Sequence, residues 1–229
     1  MDLMKSGIAI ALLGLGLTAG SATAHSPEEH AAHMAQQAAN PHAQHQAQGG
    51  VEPGAEVAFA DVPLLDQEGR ELRLKDDLVG DRIVVMGFVY TSCTTVCPVV
   101  SAIMQKLQKQ LGERAGTEVQ LISLSIDPLR DTPERLREYA GRYEAGAGWR
   151  WVTGSSEAVA DTLKGLGTWT ANYQDHPPLI MVGDGRTQTW TRFYGFTDPA
   201  VLMARVNELS AVRGHDGHGP TAIAQESHP

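Results

Sequence analysis

The stretch IVVMGFVYTSCTTVCPVVS, residues 83–101, decides the fold of this chain of 229 residues. Its first seven residues form a continuous apolar run, which is typical of a buried strand. Pro98 then fits the first turn of a helix, where the missing N–H of proline costs little. Apolar residues recur four apart after this point: Val99, Ile103, Leu107 and Leu111. The stretch therefore predicts a strand that runs through a short loop into an amphipathic helix.

Strand and helix patterns alternate on both sides of this stretch. A hairpin is expected from 59–65 and 71–74, around a polar turn at 66–69. Further strands are expected at 118–126, 149–152, 179–182 and 187–193, with a turn at 183–185. Helices are expected to open at Thr132-Pro133 and to cover 155–166 and 199–212. This order predicts βαβ units in a mixed sheet, with helices on both faces and a final antiparallel hairpin.

The only two cysteines, Cys93 and Cys97, lie where the predicted strand passes into the helix. Ligand sites in open α/β sheets favour the carboxyl ends of strands. The positive end of the helix favours thiolate over thiol, so we expect both cysteines to have a lowered pKa. If the helix extends back to Cys93, residues i and i+4 share one face, with Cβ atoms roughly 5–6 Å apart. That spacing permits a disulfide or a two-thiolate clamp on one ion.

The spacing C-x-x-x-C is one residue longer than the usual redox motif C-x-x-C, which favours a metal over thiol exchange alone. A structural zinc site needs four ligands, whereas two thiolates and one imidazole suit low-coordinate Cu(I). A structural disulfide remains an alternative from the spacing alone.

His176 is the only histidine inside the predicted domain, and it ends a loop just before the apolar strand at 179–182. Pro177 and Pro178 follow it and restrict the backbone. We expect His176 to be the third ligand. Alternatively, one of these prolines is cis and packs against the cysteines. The nearby Asp127 and Asp131 are interpreted as helix-start caps rather than metal ligands.

Residues 1–24 have the pattern of a signal peptide. Lys5 precedes an apolar core, and Ala22-Thr23-Ala24 forms a small-residue cleavage site. An uncleaved anchor is the alternative, because the uncharged run at 6–24 approaches the roughly 20 residues that span a bilayer. Either form predicts a periplasmic protein, with membrane contact only if the segment is uncleaved.

Eight of the nine histidines lie in two polar segments, 25–50 and 214–229. Neither segment can build a core, so both are expected to be disordered and to capture metal weakly. The domain then covers 51–213. The formal net charge of −9 argues against nucleic acid and acidic membrane surfaces as partners.

The chain resembles the SCO/SenC family over most of residues 55–212. The resemblance rests on GFVYTSCTTVCPVVS at 87–101, LSIDPLRDTPERLREYA at 124–140, WVTG at 151–154, and Asp175-His176 before a strand and a Gly-Asp-Gly turn. It implies an α/β thioredoxin-like fold, a central mixed sheet flanked by helices with an N-terminal β-hairpin. It also implies that Cys93, Cys97 and His176 bind copper.

By this resemblance the chain is a metallochaperone that binds one copper ion, as Cu(I) with Cu(II) as an alternative, and is not a classical enzyme. Its client is expected to be the CuA site of cytochrome c oxidase subunit II or another periplasmic copper protein, with an upstream copper donor or thiol reductant. The main alternative is a thiol-disulfide reductase that attacks through Cys93 and resolves through Cys97. Thr94-Thr95 stand where many family members have Pro-Asp, a departure that bears on which client the chain serves.

Overall fold

The computed structural model describes residues 50–216 of the chain. The predicted signal peptide or anchor, residues 25–49 and residues 217–229 lie outside the described residues. Within 50–216, no helix combines the length and apolar character that a membrane span requires.

The described residues form one mixed sheet of eight strands. The strands are β1 (Val51–Pro53), β2 (Pro63–Asp66), β3 (Glu71–Arg73), β4 (Ile83–Val89), β5 (Val119–Ser125), β6 (Trp149–Gly154), β7 (Leu179–Asp184) and β8 (Thr189–Tyr194). Their order across the sheet is β1-β8-β7-β4-β5-β6-β2-β3. The pairs β4–β5 and β5–β6 are parallel, and the other pairs are antiparallel. The predicted mixed sheet, N-terminal hairpin and final hairpin are confirmed.

Within residues 50–216, four α-helices cover the sheet: α1 (Val96–Leu111), α2 (Pro133–Gly141), α3 (Ser156–Gly165) and α4 (Pro199–Asp216). Buried side chains of α1, α2 and α4 share one core layer, and those of α3 belong to the other. Side chains of a strand alternate between faces. Accordingly, Val89 of β4 lies in the first layer and Phe88 in the second. Helices therefore lie on both faces of the sheet, as expected.

Side-chain caps begin two of the helices close to where they were expected. The side chain of Thr132 accepts a hydrogen bond from the backbone N–H of Arg135, with Pro133 opening α2. Ser155 caps α3 in the same way, by accepting from the N–H of Ala158. Trp149, Trp151 and Trp190 are buried, whereas Trp169 is 47% exposed. These tryptophans fill the core and its rim, as the sequence predicted.

Several boundaries differ from the expectation. Strand β7 continues through Gly183 and Asp184, because both pair with β8, so the turn begins at Gly185. Helix α4 continues to Asp216, so residues 214–216 are helical and do not belong to a disordered tail. Strand β1 and a π-helical turn at Leu74–Val79 had no prediction. Both are short and depend on pairing or packing with distant residues.

Candidate metal centre

The loop between β4 and α1 places the two cysteines next to each other. Helix α1 begins at Val96, so Cys93 lies in the loop and not on the helix, contrary to one possibility raised by the spacing. The backbone N–H of Cys93 donates to the carbonyl of Tyr90 at 3.1 Å. The Cys93 Sγ accepts the backbone N–H of Cys97 at 3.3 Å. Since the N-cap residue Thr95 offers no side-chain cap, the sulfur of Cys93 supplies an acceptor for the first turn.

Both thiols are buried and free, with no disulfide between them. Burial alone would raise the pKa of Cys93. The backbone N–H of Cys97, the neighbouring thiol, the backbone N–H of Thr95 and the hydroxyl of Tyr90 outweigh that effect and lower the pKa of Cys93 to about 7. The pKa of Tyr90 is itself raised to about 12, by burial first and then by Cys93, so its hydroxyl stays protonated and donates. Cys93 is thus substantially a thiolate near neutral pH.

Cys97 behaves in the opposite way. Deep burial raises the pKa of Cys97, and the adjacent Cys93 and the carboxyl of Asp131 raise it further. The prediction that both cysteines have a lowered pKa was therefore wrong for Cys97. The helix end stabilises one thiolate, and a second charge beside it in a dry site costs too much.

The carboxyl group of Asp131 ties the cysteine loop to the sheet. It accepts hydrogen bonds from the backbone N–H of Thr91, from the Thr91 hydroxyl at 2.6 Å and from the Ser125 hydroxyl at 2.7 Å. Burial raises the pKa of Asp131, although these hydrogen bonds oppose the rise. The prediction of a cap was wrong, because Thr132 caps α2. The sequence pattern Asp-Pro-x-x-Asp-Thr-Pro was the available signal for this role.

The imidazole of His176 has one nitrogen fixed and one unpartnered. Its Nδ1 donates to the carbonyl of Pro177 at 2.9 Å, because a carbonyl can only accept. Its Nε2 is buried and has no hydrogen-bond partner among the described residues. Burial lowers the pKa of His176 to about 4, despite the Pro177 hydrogen bond, so the ring is neutral. The Nε2 lone pair is therefore available to a ligand. Residues 50–216 contain no cis peptide bond, so the cis-proline alternative was wrong.

The structure does not bring His176 to the cysteine pair. Its ring packs on Phe88 with centroids 5.1 Å apart, and Phe88 belongs to the core layer on the face opposite the cysteines. Among residues 50–216, no three His, Cys, Asp or Glu side chains lie close enough to hold one metal ion. Tyr90 packs against both core layers, the one that contains the cysteines and the one that contains Phe88.

Asp127 and Arg130 complete the surroundings of the histidine loop. The buried carboxylate of Asp127 pairs with the guanidinium of Arg130 at 3.0 Å. Arg130 also donates to the hydroxyl of Tyr173 at 3.1 Å. Tyr173 contacts Tyr90 edge to face, with centroids 5.0 Å apart. Sequence reasoning missed the two contacts of Tyr173, because they join residues more than 40 positions apart.

The sequence model of the family described as SCO1/SenC matches residues 54–210 of the chain. The "SCO1 protein homolog" of Bacillus subtilis (strain 168) is 34% identical over 94 residues, which cover 41% of this chain and 47% of that protein. The "SCO2-like protein" of Rickettsia felis is 34% identical over 153 residues, which cover 62% of this chain and 72% of that protein. The chain spans about half the length of the first curated relatives it matches.

Among solved structures, yeast Sco1 with copper bound matches with a TM-score of 0.55 and 20% identity, over 73% of this chain and 98% of that one. At this identity the match shows the fold. Together with the observed sheet and helices, it establishes the thioredoxin-like α/β architecture.

Proposed function

This chain belongs to the SCO1/SenC family, and on that premise we propose that it is a copper metallochaperone that holds Cu(I) through Cys93, Cys97 and His176. Two soft thiolates and an imidazole select Cu(I) over hard cations, and three ligands leave the ion open to transfer. The copper is the cargo of this protein. The copper-bound yeast relative supports the choice of metal.

The proposal rests on one observation: the buried Nε2 of the neutral His176 has no hydrogen-bond partner among the described residues. A buried acceptor without a partner costs free energy, so the fold gains when a ligand binds there. The Nδ1 hydrogen bond to Pro177 fixes the tautomer that leaves Nε2 unprotonated, as in many metal-binding histidines. A Cu(I) ion bound by Cys93 and Cys97 is the ligand that we propose for this Nε2.

The proposed cycle takes place in the periplasm. Reduced Cys93 and Cys97 bind the ion as thiolates, and His176 joins them. Ligands of a client then displace the three side chains; the client we propose is the CuA site of cytochrome c oxidase subunit II or another periplasmic copper protein. Oxidation of the pair to a disulfide would remove both thiolate ligands at once, so an upstream thiol reductant is part of the proposal, beside a copper donor.

The test is an anaerobic titration of the reduced full chain with Cu(I) against a competing chelator. We expect one tightly bound ion per chain, loss of tight binding in Cys93→Ser and Cys97→Ser, and weaker binding in His176→Ala. The exposed Thr94, which lies between the cysteines, gives the matched control Thr94→Ala with unchanged affinity. The terminal histidines are present in every variant, so their contribution to Cu(I) binding cancels when the affinities are compared. Unchanged affinity and stoichiometry in Cys97→Ser would refute the proposal.

A thiol-disulfide reductase is the second candidate, and the unequal pKa values of the two cysteines favour it. The thiolate of Cys93 would attack a client disulfide, and Cys97 would displace the client to form a Cys93–Cys97 disulfide. Two electrons would pass to the client cysteines, and an external dithiol would reset the pair. His176 discriminates the two functions, since a reductase tolerates the loss of its imidazole and a copper carrier does not.

A further inference from the structure

The contact between Tyr90 and Tyr173 joins the two segments that carry the candidate ligands. Tyr90 directly follows β4, and its carbonyl accepts the backbone N–H of Cys93 at 3.1 Å. Tyr173 opens a 3₁₀ turn, Tyr173–Asp175, directly before His176. Their rings meet edge to face at 5.0 Å and 82°. One ring pair therefore connects the cysteine loop to the histidine loop.

Arg130 holds Tyr173 from a second direction. Its guanidinium donates to the Tyr173 hydroxyl at 3.1 Å and lies 5.8 Å from the ring centroid. Arg130 is itself fixed by the buried carboxylate of Asp127 and by a bond from its backbone N–H to the Asp127 carbonyl. Both the ring and the hydroxyl of Tyr173 are thus held.

The position of His176 depends on the position of Tyr173. The backbone N–H of His176 donates to the Tyr173 carbonyl at 3.2 Å, which closes the 3₁₀ turn. With the turn in this place, the His176 ring packs on Phe88, on the face of β4 opposite the cysteines. His176 cannot join the two sulfurs on one ion unless this turn shifts, because no three-residue cluster exists among the described residues.

We propose that Tyr173, held between Tyr90 and Arg130, is a positioning residue that keeps His176 apart from Cys93 and Cys97 until copper is bound. This inference rests on the proposed function. Copper is taken first by the two sulfurs, and His176 joins only when the Tyr90–Tyr173 contact breaks. The cost of breaking that contact lowers the affinity of the closed site, which makes the ion easier to hand over.

The test measures Cu(I) affinity of full-length Tyr173→Ala against a competing chelator, under anaerobic conditions. Loss of the ring contact should raise the affinity about three- to tenfold and slow copper release to the chelator. Tyr173→Phe keeps the ring contact and loses only the Arg130 hydrogen bond, so its Cu(I) affinity should rise less than that of Tyr173→Ala. Tyr173→Leu repeats the test with a side chain that fills more of the space, should the alanine variant fold poorly.

Two controls separate positioning from general loosening of the loop. Trp169→Ala removes a half-exposed ring from the same loop and should leave the affinity unchanged. The gain of Tyr173→Ala should vanish when His176→Ala is added, because the gain depends on the imidazole. In metal-free protein, the His176 amide should exchange faster in Tyr173→Ala, since its acceptor carbonyl is no longer held.

Three results would overturn the inference. Unchanged affinity and unchanged amide exchange in Tyr173→Ala, with a wild type that binds Cu(I) tightly, would remove the positioning role alone. A fall to the affinity of His176→Ala would show that the contact holds His176 in place for binding. A wild type without tight Cu(I) binding would refute the proposed function and the positioning role with it.

Discussion

At the scale of single residues, the two cysteines are chemically unequal although both are buried. Cys93 receives the backbone N–H of Cys97 and the hydroxyl of Tyr90, which stabilise its thiolate. Cys97 lies deeper and faces the charge of that thiolate and of Asp131. In the metal-free protein, the thiolate of Cys93 can therefore bind a cation or attack a disulfide. Cys97 keeps its proton until a cation binds or a disulfide forms.

This inequality predicts the pH dependence of thiol alkylation. A thiolate forms as the pH rises through its pKa, so the rate at Cys93 in metal-free, reduced protein should reach half its maximum near pH 7. Cys97 should remain largely unmodified at that pH. Tyr90→Phe removes a donor to the thiolate and should move the midpoint to higher pH. Mass spectrometry of iodoacetamide-treated protein gives both rates, and equal labelling of the two cysteines would contradict the assignment.

At the scale of elements, the start of α1 depends on the site that it helps to build. A helix leaves its first N–H groups without intrahelical partners, and a capping side chain normally accepts one of them. Here the sulfur of Cys93 takes that role, because Thr95 makes no cap. The candidate ligand and the helix therefore stabilise each other: the N–H groups favour the thiolate, and the thiolate satisfies an N–H.

Helix capping by sulfur makes a prediction for stability. Cys93→Ala should lower the free energy of unfolding of the metal-free protein by about 1 kcal/mol from the lost cap. Thr95→Ala is the matched control, and it should change the free energy by less than about 0.5 kcal/mol. Urea denaturation under reducing conditions, with chelator present, measures both. Equal losses in the two variants would show that the sulfur does not cap the helix.

At the scale of the whole described region, one buried arginine holds residues 50–58, the segment that leads into the sheet. Arg192 of β8 pairs with Glu52 of β1 at 3.0 Å and donates to the carbonyls of Glu56 and Leu166. Gly167 allows this approach, since a Cβ there would lie 2.4 Å from the Arg192 Nη2. Residues 50–58 are thereby held against β8 and the end of α3, far along the chain from their own position.

Removing this arginine should therefore destabilise the fold without changing the candidate ligands. Arg192→Met leaves Glu52 without this cation and two carbonyls without this donor, at a cost of about 3 kcal/mol. Lys164→Met, which breaks the exposed pair with Asp161, should cost less than about 0.5 kcal/mol. Thermal and urea unfolding measure the difference. A loss in Arg192→Met as small as in the control would contradict the role assigned to this pair.

Local sequence determined much of the architecture. The bounds of β4 are those that its apolar run predicted, and Thr132 and Ser155 begin their helices through hydrogen bonds to residues three positions away. Such signals act between residues of one turn or one strand, so they can be recognised in a short stretch of sequence. The placement of Cys93 and Cys97 between a buried strand and a helix could be predicted for the same reason.

Tertiary structure alone decided which cysteine ionises, what Asp131 binds and on which face His176 lies. Burial and the approach of distant groups set each of these, as when Thr91 meets Asp131, or Tyr90 meets Tyr173. The sequence by itself thus determined most of the strands, two of the helix starts and the candidate ligands. The fold decided how those ligands are charged and kept apart, because electrostatic and packing energies depend on neighbours in space rather than along the chain.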